Sequence, residues 1–320
     1  MKNTKAQNIM RAVTFVVIFS IIMLLLGHVF VPKTSNPDSG IRNANARGFY
    51  GEPKNSIDVL ILGDSNAYSA CSPLFMWNEH GMTSYVAAEG HQSIAGALSI
   101  YEEVLTCQSP KVVVLDVNML WAGKSFSKKL ENNFKKLIYK YLPLAQYHDR
   151  WKTMKLSDIF GEKQYTYQSD SRGQYMSTDV KPYTGENKMV QTDDLENMPL
   201  VSRFFLERLI SKCKQEGASL IFIETPTAKS WNYARHNAMS VYAKEQGIPF
   251  LDMNLLPPDY TIDWQLETRD GGSHLNCSGA RKVSAYLGTY LADNFTFTDK
   301  RTNPAFSRWN DDYEKYKDIL

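Results

Sequence analysis

The sequence carries no zinc-finger, P-loop or dinucleotide-binding fingerprint, so nucleotide hydrolysis and nicotinamide chemistry have no signature here. Cysteine is scarce. Cys71, Cys107, Cys213 and Cys277 are widely spaced with no C-x-x-C pair, which excludes a metal knuckle and a dithiol redox motif. Their even number permits disulfides, but a domain of this size does not need them, and free, packed cysteines are expected. The six histidines (His28, His80, His91, His148, His236 and His274) form no ligand-spaced cluster, so neither a catalytic metal nor another cofactor is expected. An excess of one charge is also missing. The 36 Lys and Arg against 34 Asp and Glu leave a net charge of +2, which gives no case for nucleic acid. No internal repeat is visible.

One stretch lacks charge altogether. Lys2, Lys5 and Arg11 precede a run from Ala12 to Val31 without Asp, Glu, Lys or Arg. About 20 apolar residues let a helix cross a bilayer, and basic residues before it favour a cytoplasmic N-terminus. A cleaved signal peptide has a shorter apolar region, roughly 7–15 residues, followed by small residues. Here the run closes on HVFVPK, with no A-x-A pattern and no lipobox cysteine. Residues 1–31 therefore read as a cytoplasmic tip and an uncleaved, single-pass signal anchor in the cell membrane, with the rest of the chain extracytoplasmic. Residues 32–55, rich in Asn, Gly, Pro, Ser and charge, read as a linker.

From Ser56 the chain alternates. IDVLIL (Ile57–Leu62), TSYVAA (Thr83–Ala88), KVVVLDV (Lys111–Val117), ASLIFIET (Ala218–Thr225) and IPFLDMN (Ile248–Asn254) are short apolar runs bounded by turn residues. They predict buried parallel strands. Helical spacing appears over Ser93–Leu105, Val201–Glu216, Tyr233–Gln246 and Ser278–Asn294. Such alternation predicts an α/β fold, a sheet of about five parallel strands covered on both faces, spanning residues 56–294. Residues 121–200 break the pattern and read as an insertion or cap; 295–320 read as a loosely packed polar tail. Ligand sites in such sheets lie at the carboxyl ends of the strands. There the first and third strands deliver Gly63-Asp64-Ser65 and Asp116-Val117-Asn118 to one rim.

Ser65 follows a buried strand directly, at a strand-to-helix turn where a hydroxyl is exposed with amides nearby, as an acyl-transfer nucleophile requires. The competing reading is a helix N-cap by Asp64 or Ser65. His274 lies in RDGGSHLN, a Gly-rich loop ahead of the last helix. A serine hydroxyl needs a neighbouring base, and histidine titrates near neutrality. An acid would hold its tautomer. Asp270 and Asp263 are the candidates, with a backbone carbonyl as the alternative.

ILGDSNAYS resembles the first block of the SGNH/GDSL hydrolases, and DGGSHLN before a C-terminal helix resembles the fifth. LDVN (Leu115–Asn118) stands where the family carries its G-x-N block, and AAEGHQS (Ala87–Ser93) where its second-block glycine falls. The resemblance covers roughly residues 56–294. It implies a flavodoxin-like three-layer α/β/α sandwich, with Ser65 as nucleophile, His274 as base and Asp270 as acid. It also implies an oxyanion site from the Ser65 and Gly90 N–H groups and the Asn118 amide. Four departures stand out: GDSN replaces GDSL, Asp116 replaces the third-block glycine, and His91 takes the second-block position if the register shifts by one. In the fifth block the acid lies one residue further from the histidine.

The expectation is an extracytoplasmic ester hydrolase acting on O-acyl, by default O-acetyl, groups of a cell-envelope glycan or cell-wall polymer. The alternatives are an O-acyltransferase for a surface polysaccharide or teichoic acid, and a non-catalytic binding or assembly protein. Two further stretches carry competing readings. The basic amphipathic run Lys124–Leu142 is a face for anionic lipid or polymer, or a solvated covering helix. Trp231, Tyr233, Arg235 and His236 line a sugar pocket, or pack into the core.

Overall fold

The structure, a computed structural model, describes residues 2–121 and 126–320, apart from the side chains at 2, 3, 126–129, 132 and 136. It begins with helix α1 (Lys2–Phe30), whose Thr4–Phe30 portion is long and apolar enough to cross a membrane. A short helix α2 (Ala44–Arg47) leads to strand β1 (Val59–Gly63). Helices α3 (Ser65–Ala70) and α4 (Pro73–His80) follow, then β2 (Ser84–Ala88), α5 (Ile94–Val104) and β3 (Val112–Asp116). Helices α6 (Phe126–Tyr141), α7 (Pro143–Tyr147) and α8 (Leu156–Phe160) occupy the insertion. The alternation resumes with α9 (Leu200–Glu216), β4 (Ser219–Glu224), α10 (Tyr233–Gln246), β5 (Phe250–Asp252) and α11 (Cys277–Asn294), and α12 (Ser307–Tyr316) closes the chain.

The five strands form one parallel sheet in the order β2-β1-β3-β4-β5. This is the doubly wound, flavodoxin-like order, which reverses between β1 and β3. Strand side chains alternate between two layers. Leu60, Leu62, Val113, Leu115 and Phe222 pack against α5, α9 and α10. Val59, Ile61, Val112, Val114, Ile221 and Ile223 pack against α3, α4 and α11. Because both faces are covered, the strands are apolar almost throughout, and that is why their positions are legible as short runs. Polar N-caps start the main helices: Ser93 accepts from the Gly96 N–H, Asn232 from Arg235 and Asn276 from Gly279. Left-handed Gly217 and Gly247 end α9 and α10. The four cysteines are free, three of them buried.

Residues 32–55 are not a free tether. Phe49 is fully buried in the core, and Arg47 pairs with Glu89 and Glu103. Asn- and Gly-rich composition masks this, because only three or four apolar side chains anchor the segment. The tail is likewise folded. Trp309 and Leu320 are buried with Trp77 and Leu74, and the Trp309 indole donates to Glu52. The insertion beyond α8 is an extended strap with little regular structure. The Val86 N–H donates to the Arg172 carbonyl, so the strap covers the exposed edge of β2. Of the basic stretch, Lys124 and Ser125 lie outside the described residues. The remainder is α6, which packs on α5 and α9 rather than on the sheet.

Candidate active site

Gly63 ends β1 where the chain turns sharply into α3. A Cβ there would fall 2.3 Å from the Ala67 Cβ and 3.0 Å from the Asp116 Cβ, so only glycine permits the turn. The turn is capped by Asp64, whose carboxylate accepts from the Asn66 N–H at 2.9 Å. The N-cap and nucleophile readings thus fall on different residues. Asp64 caps, and Ser65, half-buried, is left with its hydroxyl toward the rim.

Ser65 Oγ lies 2.8 Å from His274 Nε2, although 209 residues separate them. His274 Nδ1 lies 2.5 Å from Asp270 Oδ2. The other Asp270 oxygen accepts from the backbone N–H of Ser273 at 3.2 Å and of His274 at 2.9 Å. Partial burial works against ionisation of Asp270, but these hydrogen bonds from His274 outweigh it and hold the carboxyl below its ordinary range. The extra residue between acid and base is absorbed by Gly271 (φ 76°) and Gly272 (φ 93°), which fold the loop back on itself. Asp263, the other candidate acid, accepts from the Gln265 N–H in its own turn instead.

The strap fixes this loop. The N–H groups of Lys181 and Tyr183 donate to the carbonyls of Thr268 and Trp264, and that of Cys277 to the Ser177 carbonyl. Tyr183 lies against Gly272, where a Cβ would meet its ring at 2.7 Å. Nothing in the weak periodicity of 161–199 signals this role, because the contacts run through backbone amides that every residue carries.

Ser65 and His274 open into a cleft of about 750 Å³, lined also by His91, Asn118, Trp121, Lys188, Glu196, Lys229, Ser230 and Arg235 among others. Gly90 is exposed, and it is His91 that lines the cleft and takes the left-handed backbone (φ 54°) usual for glycine. Asn118 is at the rim, but its two amide hydrogens go to Glu224 Oε1 at 2.7 Å and Ser230 Oγ at 2.9 Å. To serve an oxyanion this amide must turn or exchange one partner. Of the aromatic stretch, only Trp231 and Arg235 reach the cleft. Trp231 is buried against Trp121 and donates to Asp252, and His236 bonds the same carboxylate, so these two serve the core.

Beneath the rim the strand ends bring together Asp64, Asp116, Glu224 and Asp252, a grouping invisible in sequence because each closes a different strand. Burial, with Asp64 close by, pushes Asp116 up to about 7, and burial with Asp116 and Asp252 nearby pushes Glu224 well up. An acid raised in the folded state binds protons that the unfolded chain has released. Its stabilisation is full below the unfolded pKa of roughly 4 and is lost as pH rises through about 7. The melting temperature in mild detergent is therefore expected to fall between pH 5 and pH 8. Asp116→Asn should flatten that slope, and an unchanged slope would refute the assignment.

No family model and no curated protein matches the chain. Among solved structures it is similar to a protein described as lipolytic, of the G-D-S-L family, from Desulfitobacterium hafniense DCB-2. Identity is 13%, with 73% of this chain and 98% of that chain covered, at a TM-score of 0.41. An acylhydrolase from Bacteroides fragilis NCTC 9343 shares 13% identity over 81% of this chain and 97% of that one, at 0.38. The psychrotrophic esterase EstA from Pseudoalteromonas sp. shares 11% over 73% and 94%, at 0.35. The likeness to these proteins, described as a G-D-S-L lipolytic protein, an acylhydrolase and an esterase, is one of fold. At such identities function has to come from the site itself, and the rim offers a hydroxyl, an imidazole and a carboxylate already in line.

Proposed function

We propose that the chain is a membrane-anchored serine esterase whose catalytic body lies outside the cytoplasmic membrane, with Ser65 as nucleophile, His274 as general base and Asp270 as the acid that orients it. The observation that carries this reading is the 2.8 Å approach of Ser65 Oγ to His274 Nε2, with Asp270 on the opposite ring nitrogen. A proton held on Nδ1 by Asp270 leaves the Nε2 lone pair directed at the hydroxyl. As Oγ bonds to the ester carbonyl carbon, Nε2 takes the hydroxyl proton. The resulting oxyanion is met by the Ser65 N–H, by a backbone N–H of the Gly90-His91 turn and by the Asn118 amide once it turns. One such donor is worth roughly 3 kcal/mol. Collapse breaks the ester C–O bond, and His274 returns the proton to the leaving alcohol. Water then attacks the acyl-Ser65 carbonyl, giving its proton to His274, and the acid departs as Oγ is reprotonated.

The substrate proposed is an O-acylated, by default O-acetylated, cell-envelope glycan or cell-wall polymer. The cleft supports it by being broad and open, with Lys188, Lys229, Ser230 and Arg235 along its walls. The membrane anchor supports it by confining the site to the envelope. A fluorophosphonate probe tests the chemistry on the full chain in detergent. Wild type should label and Ser65→Ala should not, with p-nitrophenyl acetate turnover lost in parallel. Labelling without water-dependent turnover would redirect the reading to acyl transfer onto a glycan hydroxyl. No labelling of the folded wild type would overturn the enzyme and favour a binding module.

A further inference from the structure

The segment after α6 is built inside-out for a protein surface in water. In α8 the charged Asp158 points inward, where its carboxylate accepts from Arg150 at 2.8 Å and from the Lys155 N–H at 2.8 Å. The apolar residues point outward: Leu156 is 76% exposed, Phe160 84% and Ile159 41%, and Trp151 just before them is 65% exposed. An amphipathic turn in water shows the reverse order.

The same segment is fastened to α1. Pro143 at the start of α7 lies 3.6 Å from where a Cβ on Gly27 would stand, and Arg150 donates to the Phe30 carbonyl at 2.5 Å. Met23, Leu26 and Gly27 are covered or partly covered. The height of the body along α1 follows. The charge-free run Ala12–Val31 rises about 30 Å at ~1.5 Å per residue, which matches the hydrocarbon thickness of a bilayer. If the body stayed wholly in water, residues from Met23 on would leave the bilayer with it. The eleven left, Ala12 to Ile22, would then span only about 17 Å.

We propose that the α7–α8 segment is a membrane seat, in which Trp151, Leu156, Ile159 and Phe160 enter the lipid bilayer on the side where α1 emerges. The seat packs against one side of the last two turns of α1, at Met23, Leu26 and Gly27, and sets the body at interfacial depth. A tryptophan at this level suits the headgroup boundary. Exposed Lys152 and Lys155 flank the apolar residues and match anionic lipid headgroups. The active-site cleft is thereby held at a fixed height and tilt rather than carried on a flexible stalk. The inference shares with the proposed function only the membrane anchor, not the ester chemistry.

The test is fluorescence of the full chain in phosphatidylcholine–phosphatidylglycerol vesicles, with and without lipids brominated on the acyl chain near the headgroup. Resistance to alkaline extraction reports the α1 anchor separately. In the body Trp77, Trp121, Trp231 and Trp309 are buried, Trp264 is partly buried against the core, and α1 contains no tryptophan. Brominated lipid should quench wild-type emission, and Trp151→Phe should remove most of the quenchable part. Leu156→Asp with Phe160→Asp, which keeps Trp151, should also lose the quenching and open Trp151 to acrylamide. Equal quenching of wild type and Trp151→Phe in alkali-resistant protein would overturn the seat. So would a Trp151 reached by acrylamide in the bilayer, or one shielded from both quenchers, which would mean a protein covers it.

Discussion

His274→Ala is expected to lower kcat on an aryl ester by about 10⁴-fold or more, with little change in KM. Without the imidazole the Ser65 hydroxyl keeps its proton, and no other described base lies within reach of Oγ at the 2.8 Å seen for Nε2. Ser65→Ala should cost as much, and the double variant little more than either, because the two groups act as one device. Asp270→Asn separates orientation from base strength. An amide can still accept from the backbone N–H groups of Ser273 and His274, so the loop should keep its shape. It no longer stabilises a protonated imidazole, and a loss of about 10²–10⁴-fold in kcat is expected. The lower end reflects a carboxylate side chain that is 38% exposed, where water substitutes for part of its work. Stopped-flow or steady-state ester hydrolysis checks all four proteins. A fall in KM alone, or losses that multiply in the double variant, would refute the Ser–His unit.

Arg172→Ala is expected to be the most damaging single change to the fold. Arg172 is fully buried in the strap, 3.1 Å from Glu52 and 2.8 Å from Asp312, with its guanidinium 4.5 Å over the Trp309 ring. Removing it leaves the buried Glu52 carboxylate with only the Trp309 indole as a direct partner, while Asp312 keeps Arg308 at 3.4 Å. Burial already pushes Glu52 up despite Arg172, and the change would add to that penalty. Breaking a buried pair this way costs about 3–5 kcal/mol, a large part of the roughly 5–15 kcal/mol that holds a typical domain. Urea unfolding in mild detergent, followed by tryptophan emission, measures it. If uncompensated charge is the cause, Glu52→Gln in the Arg172→Ala background should recover part of the loss. No recovery would mean that lost packing on Trp309 dominates.

Much of the molecule is legible in local pattern. The five strands stand within two residues of their apolar runs at either end, since strands buried on both faces must be apolar throughout. Gly217 and Gly247 mark helix ends because the left-handed backbone there excludes most side chains. The charge-free run at the N-terminus marks α1 for the same kind of reason, since hydrocarbon tolerates no charge. Ser65, His274 and Asp270 could be singled out because nucleophile and base loops follow strands or precede helices, and glycines advertise the turns. The folding of residues 32–55 and of the tail was not legible. Few apolar residues anchor them, and polar composition reads the same in a linker as in a segment pinned by Phe49 or Trp309.

The sequence alone, then, determines the α/β alternation, the membrane-length helix and the residue types on the rim, because each depends on neighbours close in the chain. Only the tertiary structure decides which of them meet. It chooses Asp270 over Asp263, turns His91 rather than Gly90 toward the cleft, ties the Asn118 amide to Glu224 and Ser230, and gathers four carboxyls from four strands. These contacts join positions tens to hundreds of residues apart. Their strength comes from burial and geometry that no local window contains.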